Sequence, residues 1–328
     1  MRDPGFLELL RCLHSAKRVL LVSDGRPDGD SLGSTTATFQ WLRRDFPHLF
    51  LRAFCREQTP PSLLCLDEIL SIEQDVALFS QPWDLIILHD AGDLLHAKID
   101  DLLPQTPSGY TLVDIDHHPT NPRYGAINIV QTDACATTQV LYRCFIENNI
   151  AIHAGIASSL LGGLLTDTGA FSNSGTNADS LAMAAHLMQL GARYQEILRS
   201  TFARHSLEGL HLQGKAFSRL KKHPTINVAT TYIQLKDYVD LKDEEATSGV
   251  SNTLNTICGD SEMLLVLKET DEGTINGSFR SSGRDISRFC HAFGGGGHKK
   301  AAGFSVPGRM VEEANGTITI KNVSTLPI

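Results

Sequence analysis

A chain of 328 residues, 41% hydrophobic and 20% charged, has the composition of an ordinary globular protein and the length of two ordinary domains. Twenty-nine Lys and Arg against 37 Asp and Glu leave a formal charge of −8, which argues against a protein that holds long nucleic acid by releasing its counterions. No apolar run approaches the ~20 residues of a membrane span, and seven cysteines without a C-x-x-C pair argue against a disulfide framework or a thiolate zinc site.

The N-terminus, "MRDPGFLELLRCLHSAKRV", alternates charge and apolar residues as an amphipathic helix does, and lacks the apolar core and cleavage site of a signal peptide. The expected compartment is cytoplasmic. "RVLLVS" (18–23) then reads as a buried strand, and "SLGSTTATFQWLRR" as a helix opened by Ser31. "LFLRAF" (49–54), "WDLIILHD" (83–90) and "YTLVDID" (110–116) are further apolar runs that end in polar residues. "ACATTQVLYRCFIENN", "HAGIASSLLGGLLTD" and "ADSLAMAAHLMQLG" have helical length and period. This alternation predicts an α/β fold: a parallel sheet with helices on both faces, over residues 1–190. Residues 191–222 read as an amphipathic helical linker, ended by His223-Pro224. Strand patterns at "TINVATTYIQL", "SEMLLVLKET" and "GTINGSFRSS", with helices at "EEATSGVSNTLNTI" and "DISRFCHAF", predict a smaller α+β domain over 223–328. Charge divides likewise: residues 1–212 carry 15 basic and 24 acidic side chains, residues 213–328 carry 14 and 13. That suits a cation site opposite an anion-holding domain, and equally an uneven solvated surface.

Ligands of a parallel sheet bind at the carboxyl ends of its strands, and four acidic clusters fall there. Asp24, Asp28 and Asp30 follow the first strand, Asp90 closes "LIILHD", Asp116-His117-His118 closes "TLVDID", and Asp167 ends a helical run. Two carboxylates in a D-x-D cannot both ionise cheaply without a compensating cation, and hard divalent ions take oxygen and imidazole ligands. Each cluster taken singly has a plainer reading: a polar turn for Asp28-Gly-Asp30, surface histidines for His117-His118, a cap or turn for Asp90 and Asp167. Near the C-terminus, the glycines of "FGGGGHKKAAGF" (293–304) would let backbone N–H groups approach an anion, although a glycine run alone is usually a flexible turn. Arg280 in "NGSFRSSG" favours the anion, since a guanidinium fork matches phosphate oxygens.

The order "RPDGDSLGS", "LHDAGD", "DHHPTN", "LLTDTGAFSNSG" and "FGGGGHKKAAGF" resembles the DHH phosphoesterase superfamily with a DHHA1 C-terminal domain. The compact length is most like its bifunctional oligoribonuclease and pAp phosphatase branch. That resemblance implies two divalent cations, typically Mn²⁺ with Mg²⁺ as the alternative, bridged by a shared aspartate and a water or hydroxide. Carried over position by position, Asp28 and Asp90 hold the first ion, and Asp30, Asp90, His117 and Asp167 the second. His118 faces the phosphoryl group as a catalytic residue beside Asp90, and Asn121 orders the histidine loop or touches substrate. Arg280, Ser281, Gly295, Gly296 and His298 bind the substrate phosphate, while Lys299 and Lys300 are solvated lysines or minor helpers. The family usually has a histidine where this chain has Asp24. A carboxylate can serve a hard ion equally, so Asp24 is expected to complete the first site, the alternative being an empty one. His96 stands near a position where the family often carries arginine. The implied activity is metal-dependent hydrolysis of short RNA or DNA oligonucleotides or of nucleotide 3′,5′-bisphosphates; the expected partners are these ligands and no membrane, with a homodimer left open. The rivals are a cyclic or linear dinucleotide phosphodiesterase and a weakly catalytic nucleotide-binding regulator.

Overall fold

Six short strands of the first part of the chain line up parallel, in the order β3-β2-β1-β4-β5-β6. They are β1 (Arg18–Ser23), β2 (Phe50–Phe54), β3 (Ile72–Glu73), β4 (Leu85–His89), β5 (Thr111–Asp116) and β6 (Ile127–Val130). The computed structural model describes residues 3–172, 175–201, 206–241, 250, 251, 254, 262–313 and 318–321, and divides the chain into two compact units, residues 1–204 and 205–328. Among the described residues the six cysteines are free thiols, and no helix is long and apolar enough to cross a membrane.

The sheet of the first unit is buried on both faces, which is why its strands read as unbroken apolar runs. Val19, Leu21, Ile87, Val113 and Ile115 pack under α1 (Pro4–Ser15), α2 (Gly29–Asp45), α3 (Thr137–Glu147), α4 (Ala154–Asp167) and α5 (Ala178–Gln189). An aromatic cluster anchors this layer, with the Phe6 and Trp41 rings stacked 5.6 Å apart and Phe145 5.0 Å from Trp41. Leu20, Val22, Phe54, Ile86 and Leu88 point the other way, where short 3₁₀ turns at Val76–Ser80 and Leu103–Gln105 cover them in place of long helices. The chain runs from β1 outward to β2 and β3, then returns to add β4 on the opposite side. The carboxyl ends of β1 and β4 therefore flank the point where connections diverge, the crevice such sheets use for ligands.

Among the described residues of 191–222 are two helices, α6 (Tyr194–Thr201) in the first unit and α7 (Leu207–Ser218) in the second. The second unit is a mixed sheet, β11-β12-β10-β9-β8-β7, in which β8 (Val228–Ile233) runs parallel to β9 (Met263–Glu269). Its other strands are β7 (Lys221–Lys222), β10 (Thr274–Ser281), β11 (Gly296–His298) and β12 (Ala301–Pro307). Helix α7 packs Leu212 and Ala216 on one face, against Ala229, Leu264 and Val266. Helix α8 (Ser287–Ala292) packs Cys290 on the other, with Phe279 and Ala302. A hairpin, β13 (Arg309–Glu312) and β14 (Ile318–Lys321), follows. The helix expected over 244–257 lies almost wholly outside the described residues.

Candidate metal-binding active site

Helix α2 begins two residues earlier than Ser31 suggests. Asp28 is its N-cap: one carboxylate oxygen accepts the amides of Asp30 (3.0 Å) and Ser31 (2.9 Å), while Ser31 Oγ accepts the Asp28 amide (3.1 Å). The cap turns Asp30 inward. Three glycines then bring α2 and α4 nearly into backbone contact. A Cβ on Gly29 would meet the Thr166 side chain at 2.3 Å, one on Gly33 the Ser159 carbonyl at 2.6 Å, and one on Gly163 the Asp30 carboxylate at 2.8 Å. This close approach carries Asp167, at the end of α4, to the same edge as Asp30.

Asp30 is fully buried, and both of its oxygens accept hydrogen bonds. Its Oδ1 accepts the Thr138 amide (2.9 Å) and hydroxyl (2.7 Å), and its Oδ2 accepts the Thr137 amide (2.5 Å). These amides open α3, whose own N-cap, Ala136, supplies no side-chain bond. Asp30 thus acts as a remote cap on the positive end of another helix. The Thr137 hydroxyl donates to Asp90 Oδ1 at 2.8 Å. Sequence reading missed Thr137 and Thr138, which stand at an unremarkable helix start.

Around these carboxylates His117 closes the site. Its Nδ1 lies 3.3 Å from the Ala134 carbonyl, so Nδ1 carries the hydrogen and Nε2 presents its lone pair inward. That Nε2 is 3.5 Å from Asp90 Oδ1, 3.7 Å from Asp167 Oδ2 and 4.0 Å from Asp30 Oδ2. Ligand atoms of Asp30, His117 and Asp167 lie within 4.8 Å of one another, as do those of Asp90, Asp116, His117 and His118. Asp24 and Asp28 belong to neither group. Asp24 accepts the Arg26 amide at 2.8 Å, and Asp28 opens to solvent with one oxygen committed to its cap.

The electrostatics fit a cation. Burial first, and then the charges of Asp30, Asp28, Asp116 and Asp167, push Asp90 well above the ordinary carboxylate range. Burial and neighbouring Asp28 carry Asp24 up to about 7. Burial and the nearby His118 depress His117, which keeps it neutral as a ligand must be. Asp30 and Asp90 take their hydrogen bonds from amides and threonine hydroxyls, which orient carboxylates without neutralising them. A donor set of crowded carboxylates with one neutral imidazole suits a hard divalent ion.

His118 behaves oppositely. The buried Asp116 accepts its Nδ1–H at 2.8 Å and its amide at 3.2 Å, together with the His117 amide at 2.7 Å. Burial opposes a charge on His118, but the Asp116 carboxylate outweighs it and lifts the imidazole to about 9. Asp116 itself is drawn down to about 2, burial being overcome by His118 and by Asn121. The Asn121 amide donates to Asp116 Oδ2 (2.6 Å) and to Asp114 Oδ1 (3.2 Å). Of the two roles expected for Asn121, ordering the histidine loop is the one these bonds serve.

In the second unit, Arg280 and His298 both pair in register with Ala301, so they stand in one row across β10, β12 and β11. The Ser281 amide donates to the Lys300 carbonyl beside that row (2.9 Å). The glycine run differs from expectation: the Gly295 amide donates to the Cys290 carbonyl at 2.9 Å and is not offered to an anion. Glycine is needed at 295 for closeness, since a Cβ would sit 2.0 Å from the Gly303 carbonyl. Gly296 is paired with Gly303 in the sheet.

A carboxylate and imidazole cluster at the switch point of a parallel sheet, joined to a mixed-sheet unit with a glycine-histidine strand, defines the class: a metal-binding phosphoesterase. Two family models match, "DHH family, N-terminal domain" over residues 18–165 and "DHHA1 domain" over residues 226–319, and the chain belongs to the DHH/DHHA1 family. It is similar to the bifunctional oligoribonuclease and PAP phosphatase NrnA of Bacillus subtilis, at 27% identity over 91% of this chain and 92% of that one. The protein of the same description from Thermus thermophilus is 28% identical over 95% of this chain and 93% of its own. The crystal structure of an exopolyphosphatase-related protein from Bacteroides fragilis shares the fold, with a TM-score of 0.80 at 22% identity over 92% of this chain and 90% of that one.

Proposed function

We propose that the protein hydrolyses short oligonucleotides and nucleotide 3′,5′-bisphosphates, using two divalent cations, Mn²⁺ foremost. The observation that carries this reading is the convergence of Asp30, Asp90, His117 and Asp167 on one point, with His118 beside it. Asp30, Asp90, His117 and Asp167 would hold one ion. Asp28 and Asp90 would hold the other through oxygens that the cap and Thr137 leave available, and Asp24 would complete it. Bound cations supply an acidified water and neutralise charge on the phosphoryl oxygens.

The chain's own groups do the rest. Asp116 fixes Nδ1–H of His118, so Nε2–H is the proton available to the leaving oxygen as the P–O bond breaks. The row of Arg280 and His298, with Ser281, would grip a substrate phosphate. The names of the NrnA relatives support the choice of substrate, and the net charge of −8 favours short ligands over polymers.

The test is a panel of pAp, pApA, cyclic di-AMP and short RNA, each with and without Mn²⁺, on wild type and Asp90→Ala. Mn²⁺-dependent hydrolysis of pAp and short RNA that Asp90→Ala abolishes is the expected result. Turnover of cyclic di-AMP alone would move the reading to a cyclic-dinucleotide phosphodiesterase. Tight nucleotide binding with no hydrolysis would overturn it in favour of a regulator.

A further inference from the structure

Residues 280–300 differ from the chain around them. They hold five cationic side chains (Arg280, Arg284, Arg288, Lys299, Lys300) against one acid, Asp285, in a protein of net charge −8. In the same stretch Phe289 and Phe293 are each 45% exposed, although a phenyl ring is ordinarily driven inward. The two rings are not scattered. Their centroids are 5.0 Å apart, and Phe304 lies 5.3 Å from Phe293 and 5.9 Å from Phe289. Phe279, only 6% exposed, supports Phe289 from beneath at 5.5 Å. Phe304 in turn rests over Gly277, its register partner, where a Cβ would fall 2.3 Å from the ring. The sheet thus builds a seat for this ring cluster. Arg288, on the same helix as Phe289, and Lys299 and Lys300, in the turn between β11 and β12, are exposed.

We propose that Phe289 and Phe293, backed by Phe304, are a stacking platform for an unpaired nucleobase, with the surrounding cations meeting the phosphates attached to it. The chemistry selects this occupant. A nucleotide offers a flat π-face and anionic oxygens together, whereas an aliphatic partner would need neither the rings nor the mainly positive charge. The proposal rests on the reading that the substrate is a short nucleotide ester, and it adds that the base contributes to affinity.

Calorimetric titration of the full chain in EDTA, where hydrolysis is blocked, tests it with two ligands: a triadenylate and an abasic strand carrying the same number of phosphates. Wild type should bind the triadenylate about tenfold or more tightly than the abasic strand. The double variant Phe289→Ala/Phe293→Ala should lose that preference while binding the abasic strand as before. Phe293→Tyr, which keeps a ring, should retain the preference. The proposal fails if wild type binds both ligands equally, if the double variant keeps the preference, or if it loses both ligands together. A wild type that prefers bases yet hydrolyses nothing with Mn²⁺ would sink the hydrolase reading and leave the platform standing. Hydrolysis without base preference would do the reverse.

Discussion

At Asp90 the backbone takes φ +61°, a left-handed conformation that non-glycine residues seldom adopt and that Asn and Asp tolerate best. Strain and like-charge crowding meet in one residue, which is where a site gives up stability for function. Asp90→Asn keeps the shape and removes the charge. Without metal it should therefore be more stable than wild type by about 1–2 kcal/mol, a shift of a few degrees. It should also lose the Mn²⁺-induced rise in melting temperature, so thermal scans with and without Mn²⁺ check both halves. Asp114 gives a pH prediction. Burial and neighbouring Asp116 raise it from 3.8 to about 7, so its stabilising contribution is complete below pH 3.8 and is lost as pH rises to about 7. Urea unfolding of the metal-free protein at several pH values should show wild type losing stability relative to Asp114→Asn across that window. For His118, NMR titration of the metal-free protein should find the imidazole near 9, and Asp116→Asn should return it toward 6.5. Asp90 and the Asp116-His117-His118 run stand out in sequence because each closes an apolar strand, and Asp167 because it ends a helical run. Thr137 and Thr138 do not: their partner Asp30 lies 107 and 108 residues away, and a threonine pair at a helix start carries no mark of it.

Between elements, the decisive contact is α2 against α4. A glycine in mid-helix ordinarily weakens it by roughly 1 kcal/mol relative to alanine. Gly214, exposed on α7 with nothing near its Cβ position, should obey that rule, so Gly214→Ala should stabilise by up to about 1 kcal/mol. At Gly163 a Cβ would sit 2.4 Å from Thr138 Cγ2, and the sign should reverse. Gly163→Ala should destabilise by roughly 1–3 kcal/mol and weaken Mn²⁺ binding, because the groups displaced are those that hold Asp30. Denaturant midpoints of the two variants decide between these signs. Sequence spacing gives the strands and helices their approximate places, yet says nothing of which glycines touch. The strands it passes over, β3, β6, β7 and β11 to β14, are short or alternate in polarity, so they do not read as apolar runs.

On the scale of the molecule, the acidic cluster lies within one unit and the basic aromatic stretch within the other. Ion binding to the folded state stabilises by about 2.7 kcal/mol at a hundredfold excess over the dissociation constant. Hydrogen exchange should show added protection from Mn²⁺ at the start of α2, the end of β4 and the start of α3. Strands β9 and β10 should be unchanged without nucleotide. Equal protection in both units would contradict a site confined to residues 1–204. The chain divides into its two compact units between α6 and α7. The point of division was not legible in sequence, because α6 and α7 read as one amphipathic run.

The remote cap has a practical corollary for mutagenesis. Because Asp30 terminates a helix that starts more than a hundred residues later, losing its carboxylate unravels architecture as well as chemistry. An inactive Asp30→Ala protein would be uninterpretable as a catalytic knockout, whereas Asp167, partly open at the far end of α4, offers a cleaner lesion. The residue most tempting to delete is the one whose deletion teaches least.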